Sequence, residues 1–296
     1  MKNEIIQIAG DFYFKRGFVP VAIRRVRGTV LTHSHDYTGI PHWHDFSELV
    51  IVTSGSGVQN INGSSYQVSA GDVFVITGRT AHYFEDYRNL ELVNIIFKES
   101  IFKGMQEYLN RIPGYHLVFQ IEPELRNRRK YRNTLNLPAH SLAYVMELVR
   151  KMSLEFETDK IGNEAAILSI LLELTVYLSR FSDRREADQP MSRLSGLFPI
   201  LEASYQEDWS FERMAKYSNM SVNTLLRTFQ AAVKQSPRQY LTELRLKEAC
   251  SLLIQTDWLI GEIAFSCGFH DSNYFSKCFH RKYGITPSEF RAKAGF

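Results

Sequence analysis

The chain is poor in cysteine: Cys250, Cys267 and Cys278 are the three in 296 residues. An odd number without paired spacing excludes a disulfide framework and a cysteine-based zinc site, and points to a reducing compartment. Charge of one sign is also lacking, since 35 Lys and Arg face 32 Asp and Glu for a net charge of +3. The small excess lies late. From Met191 onward there are 13 basic against 10 acidic residues, while the earlier part holds 22 of each, a distribution compatible with a nucleic-acid partner. No apolar run reads as long enough for a bilayer: the longest, Ala165 to Leu178, is short and contains Glu173. Met1 to Asp11 has no signal-peptide core. The expectation is a cytoplasmic protein with no membrane partner. Apolar and charged fractions of 44% and 23% exclude a disordered or fibrous chain.

What is present sorts into two halves, as the length suggests. Between about Gly28 and Phe97, the runs Glu48 to Val52, Gln67-Val68, Val73 to Ile76 and Leu90 to Phe97 are rich in β-branched residues. Gly-Ser-Gly, Asn-Gly and Ala-Gly-Asp turns separate them, which predicts an antiparallel sandwich or barrel. After Pro138 the period becomes helical, with Leu142, Val145, Met146, Val149, Met152 and Phe156 on one stripe and a second stretch from about Asn163 to Phe181. These two helices carry more apolar surface than a lone pair can hide, so they are expected to cover the barrel and to pair with a second subunit. Ser182 to Pro190 is charged, without an apolar residue larger than Ala, and reads as a linker. The basic run Arg126 to Arg132 reads as a solvated loop.

The C-terminal part contains an internal repeat at an offset of 50 residues. Ser221 and Asp271 are N-cap residues, Leu225 and Phe275 then Phe229 and Phe279 are their apolar followers, and Ser236-Pro237 recurs as Thr286-Pro287. In the first copy Ser210 caps a short helix, Trp209 is placed to staple onto Met214, and Ser218-Asn219-Met220 makes a turn. In the second, Glu262 to Ser266 is the short helix and Cys267-Gly268-Phe269 the turn. Proline at the first helical position with Gln239 or Glu289 two residues on predicts a capping box and a third helix in each copy. The one from Pro237 to about Gln255 acts as a spacer between two helix-turn-helix units. On the second helices, Asn223, Arg227 and Gln230, and then Asn273, Lys277 and His280, lie opposite the apolar residues. Amides suit adenine edges and cations suit guanine or phosphate, so both faces have the chemistry to read a major groove; an ordinary polar helix face is the alternative.

From Trp209 to Ala292 the chain resembles the AraC/XylS family of transcription regulators. The resemblance rests on Arg245-Leu246-Lys247-Glu248-Ala249, Ile263-Ala264, Gly268-Phe269, Asp271 to Ser276, Phe279 and Tyr283 to Pro287. It implies double-stranded DNA as partner, two recognition helices in successive major grooves, and RNA polymerase as a further partner. Carried onto matching positions, it implies base contacts from Asn223, Leu226, Arg227, Ser272, Asn273, Ser276 and Lys277, to which the helix face adds Gln230. Two positions depart from the family pattern. Leu226 replaces a polar reader, and Leu259 stands where a capping residue usually begins the first helix of the second unit, at a cost of about 1 kcal/mol.

In the N-terminal half, His42, His44 and Glu48 occupy even positions, so a strand places them on one side. With Gly55 they spell His-x-His-xxx-Glu-xxxxxx-Gly, which resembles the first cupin motif; Gly71-Asp72 and His82 are a degenerate second one. Three readings stand open: hydrogen bonds to an effector's hydroxyls, a divalent metal on His42, His44, Glu48 and His82, or a purely structural role. His33 and His35 fall in a loop and carry no weight. His42 to Val52, Gly71 to Phe74, Asn94-Ile95-Ile96 and Ile112 to Tyr115 resemble the rhamnose-responsive activators of the family. That implies a sugar-like effector, rhamnose among the candidates, with Asn94 added to the effector residues.

The resulting expectation is an α+β chain: a cupin-like effector-binding barrel over 1–135, a helical dimerisation and packing segment over 136–181, a linker over 182–192 and a DNA-binding domain over 193–296. It is a homodimeric activator, without a cofactor and without enzymatic activity. The competing readings are a metal-dependent cupin oxygenase or sugar isomerase carrying a DNA-binding domain, and a DNA-bending structural protein.

Overall fold

The computed structural model describes residues 5–27, 40–78, 80–126, 135–158, 160–183 and 190–294. His33, His35, most of the basic run after Arg126 and residues 184–189 lie outside the described residues. The chain divides into two compact units, Met1–Ala187 and Asp188–Phe296.

In the first unit the strands are β1 (Ile6–Ile8), β2 (Val21–Arg27), β3 (His42–His44), β4 (Ser47–Ile61), β5 (Ser64–Ser69), β6 (Asp72–Ile76), β7 (His82–Phe97) and β8 (Leu135–Asn136). They build one curled, half-barrel sheet in the order β1-β3-β7-β4-β6-β8, with β2 also on β7 and β5 also on β4. The long pair β4 and β7 runs antiparallel from Ser47↔Phe97 to Ile61↔His82, with three register shifts between Val52 and Val58. Alternation along these strands sorts side chains into two layers. Leu49, Ile51, Val73, Val75, Val93, Ile95 and Phe97 face a helical layer, while Val50, Val52, Phe74, Ile76, Leu90 and Leu92 face the concave side.

A 3-10 turn at Glu99–Phe102 leads into short helices α1 (Gln106–Asn110) and α2 (Pro113–Tyr115), a π-helical segment His116–Ile121 and α3 (Glu122–Arg126). The long helices α4 (Ala139–Glu157) and α5 (Asn163–Asp183) follow. Val145, Leu148, Val149 and Met152 of α4 and Ile167, Leu171, Leu174 and Leu178 of α5 are buried in the helix-facing core. Each contributes about 1.5–3 kcal/mol through burial. By length and mean hydropathy, Asn163–Ser182 is large enough to cross a membrane, contrary to the expectation from the shorter apolar run. Its apolar stripe is instead packed on α4 and the sheet side. Gly114 of α2 lies so close to α5 that an added Cβ would sit 1.9 Å from the Ser179 carbonyl oxygen, an approach open only to glycine.

The second unit is helical: α6 (Pro190–Ala203), α7 (Phe211–Tyr217), α8 (Val222–Val233), α9 (Pro237–Gln255), α10 (Ile260–Ser266), α11 (Ser272–Tyr283) and α12 (Pro287–Ala294). Pro190 opens α6 and α5 extends to Asp183, so both helices enter the stretch read as a linker over 182–192. Proline suits a first helical turn, where its missing N–H has no helical partner anyway. Phe198 of α6, Phe229 of α8 and Tyr240 of α9 pack with ring centroids 5.0–5.6 Å apart. Phe275 and Phe279 of α11 are fully buried beside Phe269 and Phe290. The capping boxes form: Ser236 Oγ accepts from the Gln239 N–H while Gln239 Oε1 accepts from the Ser236 N–H, and Thr286 and Glu289 repeat both bonds. Trp209 and Met214 are both buried, and the Trp209 ring lies tilted against Tyr217, 5.2 Å between centroids, under the Arg213 guanidinium at 4.2 Å. The cysteines are free thiols.

The repeat is not uniform. Val222 to Ser272 and Pro237 to Pro287 keep the offset of 50, but Phe211 to Ile260 is 49. The second turn is therefore one residue longer. Asn219 (φ 50°) and Gly268 (φ 83°) hold equivalent left-handed positions, donating to the carbonyls of Lys216 and Phe265, and the added residue falls between Gly268 and Asp271. Gly268 also packs on the loop before α7, where a Cβ would meet the Gln206 carbonyl oxygen at 2.5 Å. Arg245 of α9 donates to the carbonyls of Tyr205 and Glu207 in the same loop, both at 2.8 Å, so one loop seats both units.

Candidate functional site

In the helical unit the two second helices are presented alike. Ser221 Oγ accepts from the Thr224 N–H at 3.2 Å, and Asp271 Oδ1 from Asn273 and Tyr274 at 2.7 and 3.3 Å. These caps satisfy donors that helix starts leave open. Left-handed Lys234 (φ 60°) and Gly284 (φ 75°) end the two helices. Leu225, Thr228 and Phe229 are buried, as are Phe275, Cys278 and Phe279 at the matching positions. Asn223, Arg227 and Gln230 are exposed, and so are Asn273, Lys277 and His280. Leu226, Ser272 and Ser276 are half-buried, and the Ser276 hydroxyl donates to the Ser272 carbonyl at 2.9 Å. Each face thus offers an amide and, four residues on, a cation beside a small or apolar residue. This is the chemistry that distinguishes base edges in a major groove.

In the sheet unit, His42 and His44 on β3, Glu48 on β4 and His82 on β7 converge. A bend at Asp45-Phe46 separates β3 from β4, so the residues share a side across two strands rather than along one. His44 Nε2 and His82 Nε2 lie 3.7 and 3.5 Å from Glu48 Oε2, and the His42 ring centroid is 4.3 Å from that of His82. All four are buried. Their tautomers follow from the backbone. Nδ1 of His42, His44 and His82 sits 2.8, 2.7 and 2.9 Å from the carbonyls of Ile40, Phe46 and Thr80. A carbonyl can only accept, so Nδ1 carries the hydrogen of each neutral ring and Nε2 is left as a lone pair. Burial first, and the His82 imidazole next, hold His42 down to about 4. Burial pushes the Glu48 carboxyl up, but His44 and His82, which when protonated face it as positively charged Nε2–H donors, outweigh burial and keep it below the usual carboxylate range.

The result is a concentration of acceptors. Among the described residues His44 Nε2 has no hydrogen-bond partner; while the rings are neutral it faces another imidazole lone pair and a carboxylate. Asn94 lies on the same face, two residues along β7 from Ile96, the pairing partner of Glu48; its Oδ1 is a further buried acceptor without a partner. Buried polar groups are normally paired, so a proton on an imidazole, a donor-rich ligand or a cation would complete this set. The residues do fit a metal: one ligand atom each from His44, Glu48 and His82 lies within 4.8 Å of the others, and Nδ1 bonds to carbonyls orient both rings.

Comparison with known proteins follows the same division. A family model described as a helix-turn-helix domain matches residues 214–293, and one described as an AraC-like ligand binding domain matches residues 29–175. The HTH-type transcriptional activator RhaS of Escherichia fergusonii is 32% identical over 250 residues, covering 84% of this chain and 86% of that protein. The HTH-type transcriptional activator RhaR of Mannheimia succiniciproducens is 27% identical over 298 residues, covering 98% of each. Among solved structures, an AraC-type regulator from Chromobacterium violaceum is 34% identical over 35% of this chain and 92% of its own, with a TM-score of 0.33.

Proposed function

The chain belongs to the AraC family of HTH-type transcription regulators, and from that premise we propose that it is an activator switched by a small polyhydroxylated effector held in the half-barrel. Its DNA-binding residues are Asn223, Leu226, Arg227 and Gln230 on α8 and Ser272, Asn273, Ser276 and Lys277 on α11. The observation that carries this is the matching order of buried and exposed positions over Leu225–Gln230 and Phe275–His280 on the two capped helices. Arg227→Ala and Lys277→Ala are each expected to weaken specific binding by about 1–3 kcal/mol with the fold unchanged, read by fluorescence anisotropy on a cognate duplex. Unaltered affinity in both would remove the assigned faces.

The effector residues are His42, His44, Glu48, His82 and Asn94. Their acceptor-rich surface favours a ligand that brings several O–H donors, which a sugar does. The RhaS and RhaR names of the relatives make rhamnose the first sugar to try. Coupling then requires that the sugar bind one arrangement of the protein better than another. The chain is expected to work in the cytoplasm as a homodimer that recruits RNA polymerase, with exposed Tyr144, Leu154 and Leu168 on α4 and α5 available to a second copy. The domains are proposed as a barrel over 1–135, a helical segment over 136–181, a linker over 182–192 and a DNA-binding domain over 193–296. Pull-down of genomic DNA with purified protein, with and without a sugar panel, tests the reading. Direct repeats whose occupancy responds to one sugar are expected; no enrichment from folded protein would sink it.

A second reading is favoured by the convergence of His44, Glu48 and His82: a metal-dependent enzyme carrying a DNA-binding domain, in which the metal would supply a Lewis acid. Elemental analysis separates the two. The regulator reading expects less than about a tenth of an equivalent of transition metal, whereas a near-stoichiometric ion answers the need of an all-acceptor site and would move weight to the enzyme.

A further inference from the structure

The helix-facing side of the sheet holds a second cavity, behind the histidine cluster. Ser47 and Glu48 are consecutive on β4, so their side chains leave opposite faces: Glu48 meets the histidines and Ser47 lines a cavity of about 350 Å³. The far wall comes from the 3-10 turn, α1 and the π-helical segment. A π-helical stretch is an uncommon insertion that frequently marks a functional site, and here it brings Phe119 to the cavity.

The polar groups are ordered. The buried Ser47 hydroxyl donates to Glu99 Oε1 at 3.0 Å. Gln106 Nε2 donates to Asn110 Oδ1 at 2.6 Å and reaches the Tyr115 hydroxyl at 3.5 Å. Around them stand aromatic rings. Phe97 and Phe102 meet edge to face at 5.6 Å and Tyr115 and Phe119 stack at 5.3 Å. Glu99 is exposed at the mouth and is the one charged residue among those lining the cavity, with no Lys, Arg or His to balance it. A carboxylate at the rim of an aromatic chamber is complementary to a cation with a hydrocarbon body, through ion pairing and through the negative faces of the rings.

We propose that this cavity is a second small-molecule site, independent of the histidine cluster, that binds an organic ammonium ion with its charge at Glu99 and its apolar body between Phe97, Phe102 and Phe119. Calorimetric titration of the full chain with phenethylammonium and butylammonium, each beside its alcohol (phenethyl alcohol, butanol), tests this. One ammonium at least is expected to bind saturably at one site, about tenfold or more tighter than its alcohol. Glu99→Gln should remove that preference while leaving specific DNA affinity and melting temperature unchanged, since Glu99 is exposed and the glutamine amide oxygen can still accept from the Ser47 hydroxyl; Phe119→Leu should weaken the ammonium several-fold and the alcohol less. Saturation by neither ammonium, equal binding of the alcohols, or wild-type ammonium affinity in Glu99→Gln would each overturn the assignment.

Discussion

At the scale of single residues, two kinds of information behave differently. Which side chains of α8 and α11 face outward is a matter of angular spacing, so Asn223, Arg227, Asn273 and Lys277 were legible as one recurring face before any coordinates. The hydrogen positions of His42, His44 and His82 were not, because carbonyl oxygens of Ile40, Phe46 and Thr80 set them, and no residue type encodes where a carbonyl points. Gly268 illustrates a third case. Its left-handed φ was readable from the turn, but its seat against Gln206 comes from a residue 62 positions away (268 less 206). Gly268→Ala should therefore cost more than the roughly 1 kcal/mol of backbone strain alone, measured by denaturant unfolding. A loss below that would mean the loop moves aside.

At the scale of elements, the helices from α7 onward were legible to within a residue or two at their starts, since Ser210, Ser221, Ser236, Asp271 and Thr286 announce most of them, whereas α6 was missed. Strand β2 was missed because Arg24 and Arg25, both exposed, interrupt its apolar pattern. The helices from Gln106 to Arg126 were missed because each is too short for a helical period to emerge and Pro113-Gly114 reads as a turn. The departure at Leu259 is visible in the structure: the side chain has no acceptor, and only the Glu262 carboxylate answers, taking the Leu259 N–H at 2.7 Å. Leu259 is 70% exposed, so Leu259→Ser surrenders little burial and adds a cap. It should raise stability by about 0.5–1 kcal/mol, seen as a higher melting temperature of the C-terminal unit; a fall would show that the exposed leucine is serving as a contact.

At the scale of the whole molecule, the separation into a sheet unit and a helical unit leads to a prediction about the second unit alone. A fragment from Pro190 to Phe296 should bind specific DNA without effector, and a folded but inert fragment would contradict that. The histidine cluster was legible only as a list of residue types. Its meaning as an acceptor-rich concavity depended on β3, β4 and β7 meeting, which is a long-range property. The uneven repeat bears on how such a molecule can be rebuilt. From cap to capping box, Ser221–Ser236 and Asp271–Thr286 are segments of equal length, while the extra residue sits upstream of the second. The two segments are therefore matched in length, though Phe229 packs on Phe198 while Phe275 and Phe279 pack on Phe269 and Phe290. Installing the first in both places would leave the chain in frame and should convert recognition of two unlike half-sites into recognition of a tandem of one.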